Sequence, residues 1–155
     1  MRRIICIGNR YAAQDAAGPA VYDHLRRLQL PAGLELIDGG LAGLDLLRYL
    51  EDAELVVFVD SVSGFGAPNT VLILAEEEVA VLASSRYDHS AGLAYLLRIL
   101  PEVCEGVLPQ VRLIGIEGDP DQAAIGEAAT LALKIAGGSG YANRPSEAVR
   151  PVAAD

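Results

Sequence analysis

Short apolar runs alternate along this chain with stretches whose leucines, valines and alanines recur at helical spacing. Five β-branched or aliphatic runs predict strands at Arg3 to Ile7, Leu34 to Ile37, Leu55 to Asp60, Thr70 to Leu74 and Val111 to Ile116. They are continuous rather than alternating, so both faces of each strand are expected to be buried. The first predicted helix runs from Gly18 to Leu30, with Val21, Leu25 and Leu28 at i, i+4, i+7 spacing and Pro19 in its first turn. The second, Leu44 to Leu50, places Leu44, Leu47 and Leu50 on one face. Glu76 to Leu82 predicts a short turn of helix, Ser90 to Leu100 a helix ended by Pro101, and Asp121 to Ala136 the last, stopped by Gly137-Gly138.

This alternation predicts an α/β fold: a three-layer αβα sandwich around a mostly parallel, twisted sheet. The third and fourth strands break the pattern. Only the loop from Ser61 to Asn69 joins them, too short for a crossover helix, so the fourth is expected to be an antiparallel edge strand. A single α/β domain is expected over 1–138. The polar, Pro-containing, aperiodic remainder, 139–155, predicts a flexible tail.

Composition narrows the function. With 155 residues that are 52% hydrophobic, the chain suffices for one domain with one sizeable core. No apolar stretch is long enough to span a bilayer and no signal-peptide pattern opens the sequence, so a cytoplasmic protein with no membrane partner is expected. The formal charge of −9, without any offsetting Lys/Arg cluster, argues against nucleic acid. Cys6 and Cys104 form no CxxC motif and read as buried small hydrophobes in a reduced compartment. The oligomeric state stays open, a monomer included.

Ligand crevices in open parallel sheets lie beyond the carboxyl ends of the strands. There the first strand runs into Gly8-Asn9 and on to Gln14-Asp15, the second into Asp38-Gly39-Gly40, and the third into Asp60-Ser61. Neither GxGxxG nor GxxxxGK[ST] is present, which disfavours a nucleotide-binding regulator. GxSxG and HExxH are absent as well. With only two histidines, a metal site here requires carboxylates, and a set of two carboxylates and one imidazole leaves positions open for water and substrate. His24 lies within the first helical pattern and reads as an ordinary helical side chain. His89 sits at a loop end, where it either faces the crevice or merely neighbours Asp88 and Ser90, each able to cap the following helix.

Several separated segments together resemble the hydrogenase maturation endopeptidases, which trim the C-terminus of the large subunit of nickel-iron hydrogenases. Ile7-Gly8-Asn9 with Asp15 and Gly18 resembles the family's opening motif and its acidic ligand. Asp38-Gly39-Gly40 with Gly43 and Leu44 is similar to its DGG segment. Val59-Asp60 with Pro68 and Thr70 resembles the second ligand, and His89 with Gly92 and Leu93 the third. There are departures: Gln14 stands where a second acid is frequent, Arg10-Tyr11 replaces an aliphatic pair, Leu41 a threonine and Asn69 a glycine.

The resemblance implies a metal-dependent endopeptidase whose catalytic and metal-binding residues are Asp15, Asp60 and His89, with Asn9, Asp38, Gly39 and Gly40 in support. Asp38 would orient a ligand or substrate backbone, or else cap a turn. The implied partner is the hydrogenase large-subunit precursor. The implied metal is nickel supplied by that substrate, with other divalent metals able to occupy the site in vitro. The rival reading is a non-proteolytic nickel-binding assembly factor docking on the same precursor.

Overall fold

A computed structural model of the chain describes residues 1–41, 43–82, 91–137 and 150–151. Strand β1 (Arg2–Ile7) leads through a 3-10 turn (Ala13–Asp15) into helix α1 (Ala17–Leu25) and strand β2 (Leu34–Gly40). A second 3-10 turn (Leu44–Leu46) runs into α2 (Leu47–Leu50), followed by β3 (Leu55–Val62), β4 (Thr70–Ala75) and α3 (Glu76–Leu82). Then come α4 (Ala91–Val103), β5 (Gln110–Glu117), α5 (Gln122–Gly137) and the two-residue β6 (Arg150–Pro151).

The strands lie in the order β2-β1-β3-β5-β4-β6. The first four are parallel to one another, and β4 runs antiparallel to β5. The short link after β3 therefore reverses the chain as its length requires, but it carries β4 past the place that β5 fills. β6 covers only Thr70 and Val71 on the outer side of β4.

Side chains alternate across each strand, so one strand feeds two cores. Ile4 and Cys6 of β1, Val57 and Val59 of β3, and Ile114 and Ile116 of β5 meet α1 and α5 on one face. Ile5, Ile7, Phe58, Leu113 and Leu72 meet α2, Val79 of α3, and Leu93, Leu96 and Leu100 of α4 on the other. All eight residues of β3 are buried, which accounts for the apolar run from Leu55 to Val59 and makes Asp60 and Ser61 buried polar residues. No helix among the described residues is long and apolar enough to cross a membrane.

Three helices depart from their periodicity. α1 stops at Leu25, not Leu30: Leu28 is exposed, and the N–H groups of Arg27 and Leu28 donate to His24 and Leu25, three residues back, tightening the chain into a turn before Pro31. In the second helical segment the buried leucines are Leu46 and Leu50, while Leu44 is 55% exposed, because the segment starts as a 3-10 turn and rotates its apolar face. α4 passes through Pro101 to Val103, and Cys104 N–H still reaches the Leu100 carbonyl at 2.9 Å. Ser90, the expected start of that helix, lies outside the described residues. At α5 the Asp121 carboxylate accepts from Ala124 N–H at 2.8 Å, an N-cap that starts the helix where the sequence predicts.

Arg3 is buried at the start of β1, where it donates to the Tyr49 carbonyl and pairs with Asp52 and Glu35. The Arg3 hydrogen bond holds the Asp52 carboxyl below its ordinary range. A lowered folded-state pKa stabilises the fold above the unfolded value and loses that contribution as pH falls through the lowered one. Asp52→Asn is therefore expected to lower the urea midpoint at pH 6 and to converge with the parent protein well below pH 4, the ordinary carboxylate value being about 4. Urea titrations of both proteins across that range check it.

Candidate functional site

Helix α1, which follows β1, covers one face of the sheet, and α2, which precedes β3, covers the other. The chain leaves the carboxyl end of β1 for α1 and the carboxyl end of β3 for the loop to β4, and in parallel sheets ligands bind beyond such carboxyl ends. Asp15 and Asp60 come from those two ends. Asp60 is only 2% exposed and belongs to β3; Asp15 is half-buried in the turn that joins β1 to α1, and that turn packs against β3.

Backbone geometry presets the Asp15 loop. Asn9 N–H donates to the Asp15 carbonyl at 2.8 Å and lies 3.2 Å from Asp15 Oδ2, while Asn9 Oδ1 accepts from Tyr11 N–H at 3.0 Å. Gly8, with φ of +142°, allows this close return: a Cβ there would stand 2.3 Å from the Asp15 carbonyl oxygen. Asn9 is thus a loop organiser that orients the Asp15 carboxylate. Gln14, its neighbour in sequence, is exposed.

Asp60 shares a strand face with Phe58 and Val62, which pack into the core beneath α3 and α4. Those are the two helices joined by the segment containing His89. His89 itself lies outside the described residues. Among the described residues, no group of three or more His, Cys, Asp or Glu side chains is placed to hold a metal ion. Asp60 Oδ1 accepts from Ser61 N–H at 2.8 Å.

Asp38 takes the opposite face of the sheet. Its neighbour Ile37 packs into the α2–α4 core, so the alternation turns Asp38 toward α1. Asp38 Oδ1 accepts from Gly40 N–H at 3.2 Å, capping the turn. Gly39 is the extra residue of a bulge opposite β1, and a Cβ there would press within 2.8 Å of the Ile5 and Ile7 side chains. Gly40, at φ of +56°, returns its carbonyl to Gly8 N–H at 2.8 Å and so ties the ends of β1 and β2 together.

Three contributors escape motif reading. Ser61 is buried, and its Oγ accepts from Ala17 N–H at 3.1 Å, fastening the start of α1 to β3 beside Asp60. Glu117, at the end of β5, accepts from Gly64 and Phe65 N–H with its two carboxylate oxygens and braces the loop after β3. Its position at a strand's carboxyl end was the available signal. Arg10 reaches Asp23 at 3.2 Å and Asp38 at 3.8 Å.

Cysteine chemistry finds no support at Cys6. Burial, followed by the nearby charges of Asp38 and Asp23, pushes its thiol far above the ordinary range, so it stays protonated and unreactive. Cys104 is half-buried against the α4 side of the core. His24, also half-buried, stays an ordinary member of α1.

Comparison with known proteins gives this arrangement a family. Residues 19–125 match the HycI hydrogenase maturation protease family. The hydrogenase 2 maturation protease of Escherichia coli strain K12 is 34% identical over 100 residues, 63% of this chain and 61% of that protein. The match thus spans less than two thirds of the relative's length. The hydrogenase maturating endopeptidase HybD from E. coli shares the fold with a TM-score of 0.70 at 26% identity, over 86% of this chain and 87% of that one. An endopeptidase from E. coli determined in solution gives 0.70 at 28% identity, over 86% and 88% of the two chains. This chain belongs to the hydrogenase maturation protease family.

Proposed function

We propose that the protein is a cytoplasmic endopeptidase that removes a C-terminal extension from the nickel-loaded large-subunit precursor of a nickel-iron hydrogenase. The observation that carries this reading is the origin of Asp15 and Asp60 at the carboxyl ends of two adjacent parallel strands, in a chain of this family. His89 completes the set as imidazole donor, from the segment between the two helices that cover the Asp60 face.

Two carboxylates balance the charge of a divalent nickel, and one imidazole adds a neutral donor. Such a set is small enough to leave positions open and suits brief engagement of a metal that arrives with the substrate. Nickel supplies the polarisation of a water molecule or of the scissile carbonyl. The chain's own groups do the positioning. Asn9 N–H and the Gly8 turn fix the direction of Asp15, the β3 backbone fixes Asp60, and the Ser61 hydroxyl holds α1 against the strand that carries Asp60.

The test mixes purified protein with nickel-loaded and nickel-free precursor and follows the precursor's mass. Loss of a C-terminal peptide only from the nickel-loaded form is expected, and Asp15→Ala and His89→Ala should each abolish it. Cleavage indifferent to nickel, or retained in both variants, would overturn the mechanism. Binding without loss of mass would identify an assembly factor instead.

A further inference from the structure

Arg10 is a cation set among carboxylates in the loop after β1, and it is joined to the site through its own backbone. Its Nη1 lies 3.2 Å from Asp23 Oδ2 on α1, and its Nη2 lies 3.8 Å from Asp38 Oδ2 at the end of β2. The other oxygen of Asp38 is engaged by Gly40 N–H. The residue immediately before Arg10 is Asn9, whose N–H points at Asp15 Oδ2 and whose side chain accepts from Tyr11 N–H. One side chain therefore bridges three segments that meet here: the loop after β1, helix α1 and the tip of β2.

We propose that Arg10 is a positioning residue for the metal-facing carboxylate Asp15: by anchoring its loop to Asp23 and Asp38, it holds the Asn9 amide where it orients Asp15. This inference rests on the role proposed above for Asp15 and extends it to a residue that makes no contact with the metal. Two features support it. Asp38 faces the α1 side of the sheet while Asp60 faces the α4 side, so Arg10 engages the carboxylate turned away from Asp60. Arg10 also cancels charge on Asp38, which leaves Asp15 and Asp60 as the carboxylates offered to a cation. The hydrogen bond to Asp23 and the charges of Asp23 and Asp38 raise the Arg10 pKa, in keeping with a guanidinium held between two acids.

The pairs are about two-fifths exposed, which sets the scale of the effect. Exposed ion pairs couple weakly, so loss of the anchor should weaken metal capture by only about two- to fivefold. Nickel(II), with cadmium(II) as a second probe, is titrated calorimetrically into the full chain at low ionic strength. Arg10→Ala is expected to bind about two- to fivefold more weakly than the parent at an unchanged urea midpoint, and Arg10→Lys to recover part of the difference. The gap should close at about 1 M salt, where screening acts within about 3 Å. It should also vanish in an Asp23→Asn/Asp38→Asn background, because nothing remains for Arg10 to hold.

Equal affinity of Arg10→Ala and the parent at low salt overturns the proposal. So does a loss that persists undiminished in the Asp23→Asn/Asp38→Asn background. Asp15→Ala separates the two levels of inference. If it loses metal binding and Arg10→Ala does not, only the positioning role fails; if Asp15→Ala binds like the parent, the role of Asp15 fails with it.

Discussion

Asp60→Asn is expected to lower the rate of precursor cleavage by more than about a hundredfold, since losing even an outer partner of a metal ligand costs about 10- to 100-fold. The substitution is nearly isosteric. Its amide oxygen can still accept from Ser61 N–H, so the local hydrogen bond survives while the charge and the metal affinity are lost. Asp60 is buried within a strand that pairs on both sides, which leaves it little freedom to move aside for a substitute ligand. The urea midpoint should shift by no more than about 1 kcal/mol equivalent. Cleavage and midpoint are read on one preparation. Near-parental cleavage by Asp60→Asn would remove the central carboxylate from the reaction and with it the proposed metal set.

Gly18→Ala is expected to produce the largest loss of stability. A Cβ at Gly18 would lie 1.9 Å from the Ile7 carbonyl oxygen and 2.7 Å from the Ile7 nitrogen and carbonyl carbon. These are backbone atoms of a central strand, so no side chain can swing away to make room. The start of α1 would have to lift off β1, breaking the bond from Ala17 N–H to Ser61 and exposing Val21 and Leu25 of the core. Overpacking of a well-packed interior costs about 1–3 kcal/mol and more where the backbone must move. At least about 3 kcal/mol is therefore expected, toward the extreme of single substitutions. Chemical denaturation measures it, and a shift under about 1 kcal/mol would mean that α1 tolerates withdrawal from β1.

The sheet was legible because its strands are buried on both faces. Leu55 to Asp60 and Val111 to Ile116 are near-continuous apolar runs, and the strands observed there extend the predictions by only one or two residues at an end. Helix ends were less legible, because periodicity reports which positions match a face and not where the chain turns. Leu28 matches the α1 spacing yet is exposed, since Pro31 and the tightened last turn direct the chain away. The 3-10 turn carrying Asp15 leaves no apolar pattern in three residues, although it holds a proposed ligand.

Site reading reached Asp15, Asp38 and Asp60 because the carboxyl-end rule needs only strand order and polarity. It gave Asp38 a supporting role, and strand alternation places Asp38 on the face of the sheet opposite Asp60. Ser61 and Glu117 were invisible for another reason. Both act on backbone N–H groups distant in sequence, Ala17 for one and Gly64 and Phe65 for the other, and such pairings arise only when the sheet is assembled.

The strand order also governs how the fold can be reached during synthesis. β5 sits between β3 and β4, pairing with both, yet it is made after either of them. Until Gln110–Glu117 has emerged, β4 has no neighbour among β1, β2 and β3, and β3 presents an open edge of apolar sequence. Pairings between distant segments are slow to form, and an unpaired apolar edge invites association with other chains. A nascent chain arrested before Gln110 is thus left as an aggregation-prone half-sheet. The step that joins β3 to β4 through β5 commits the molecule to the completed sheet.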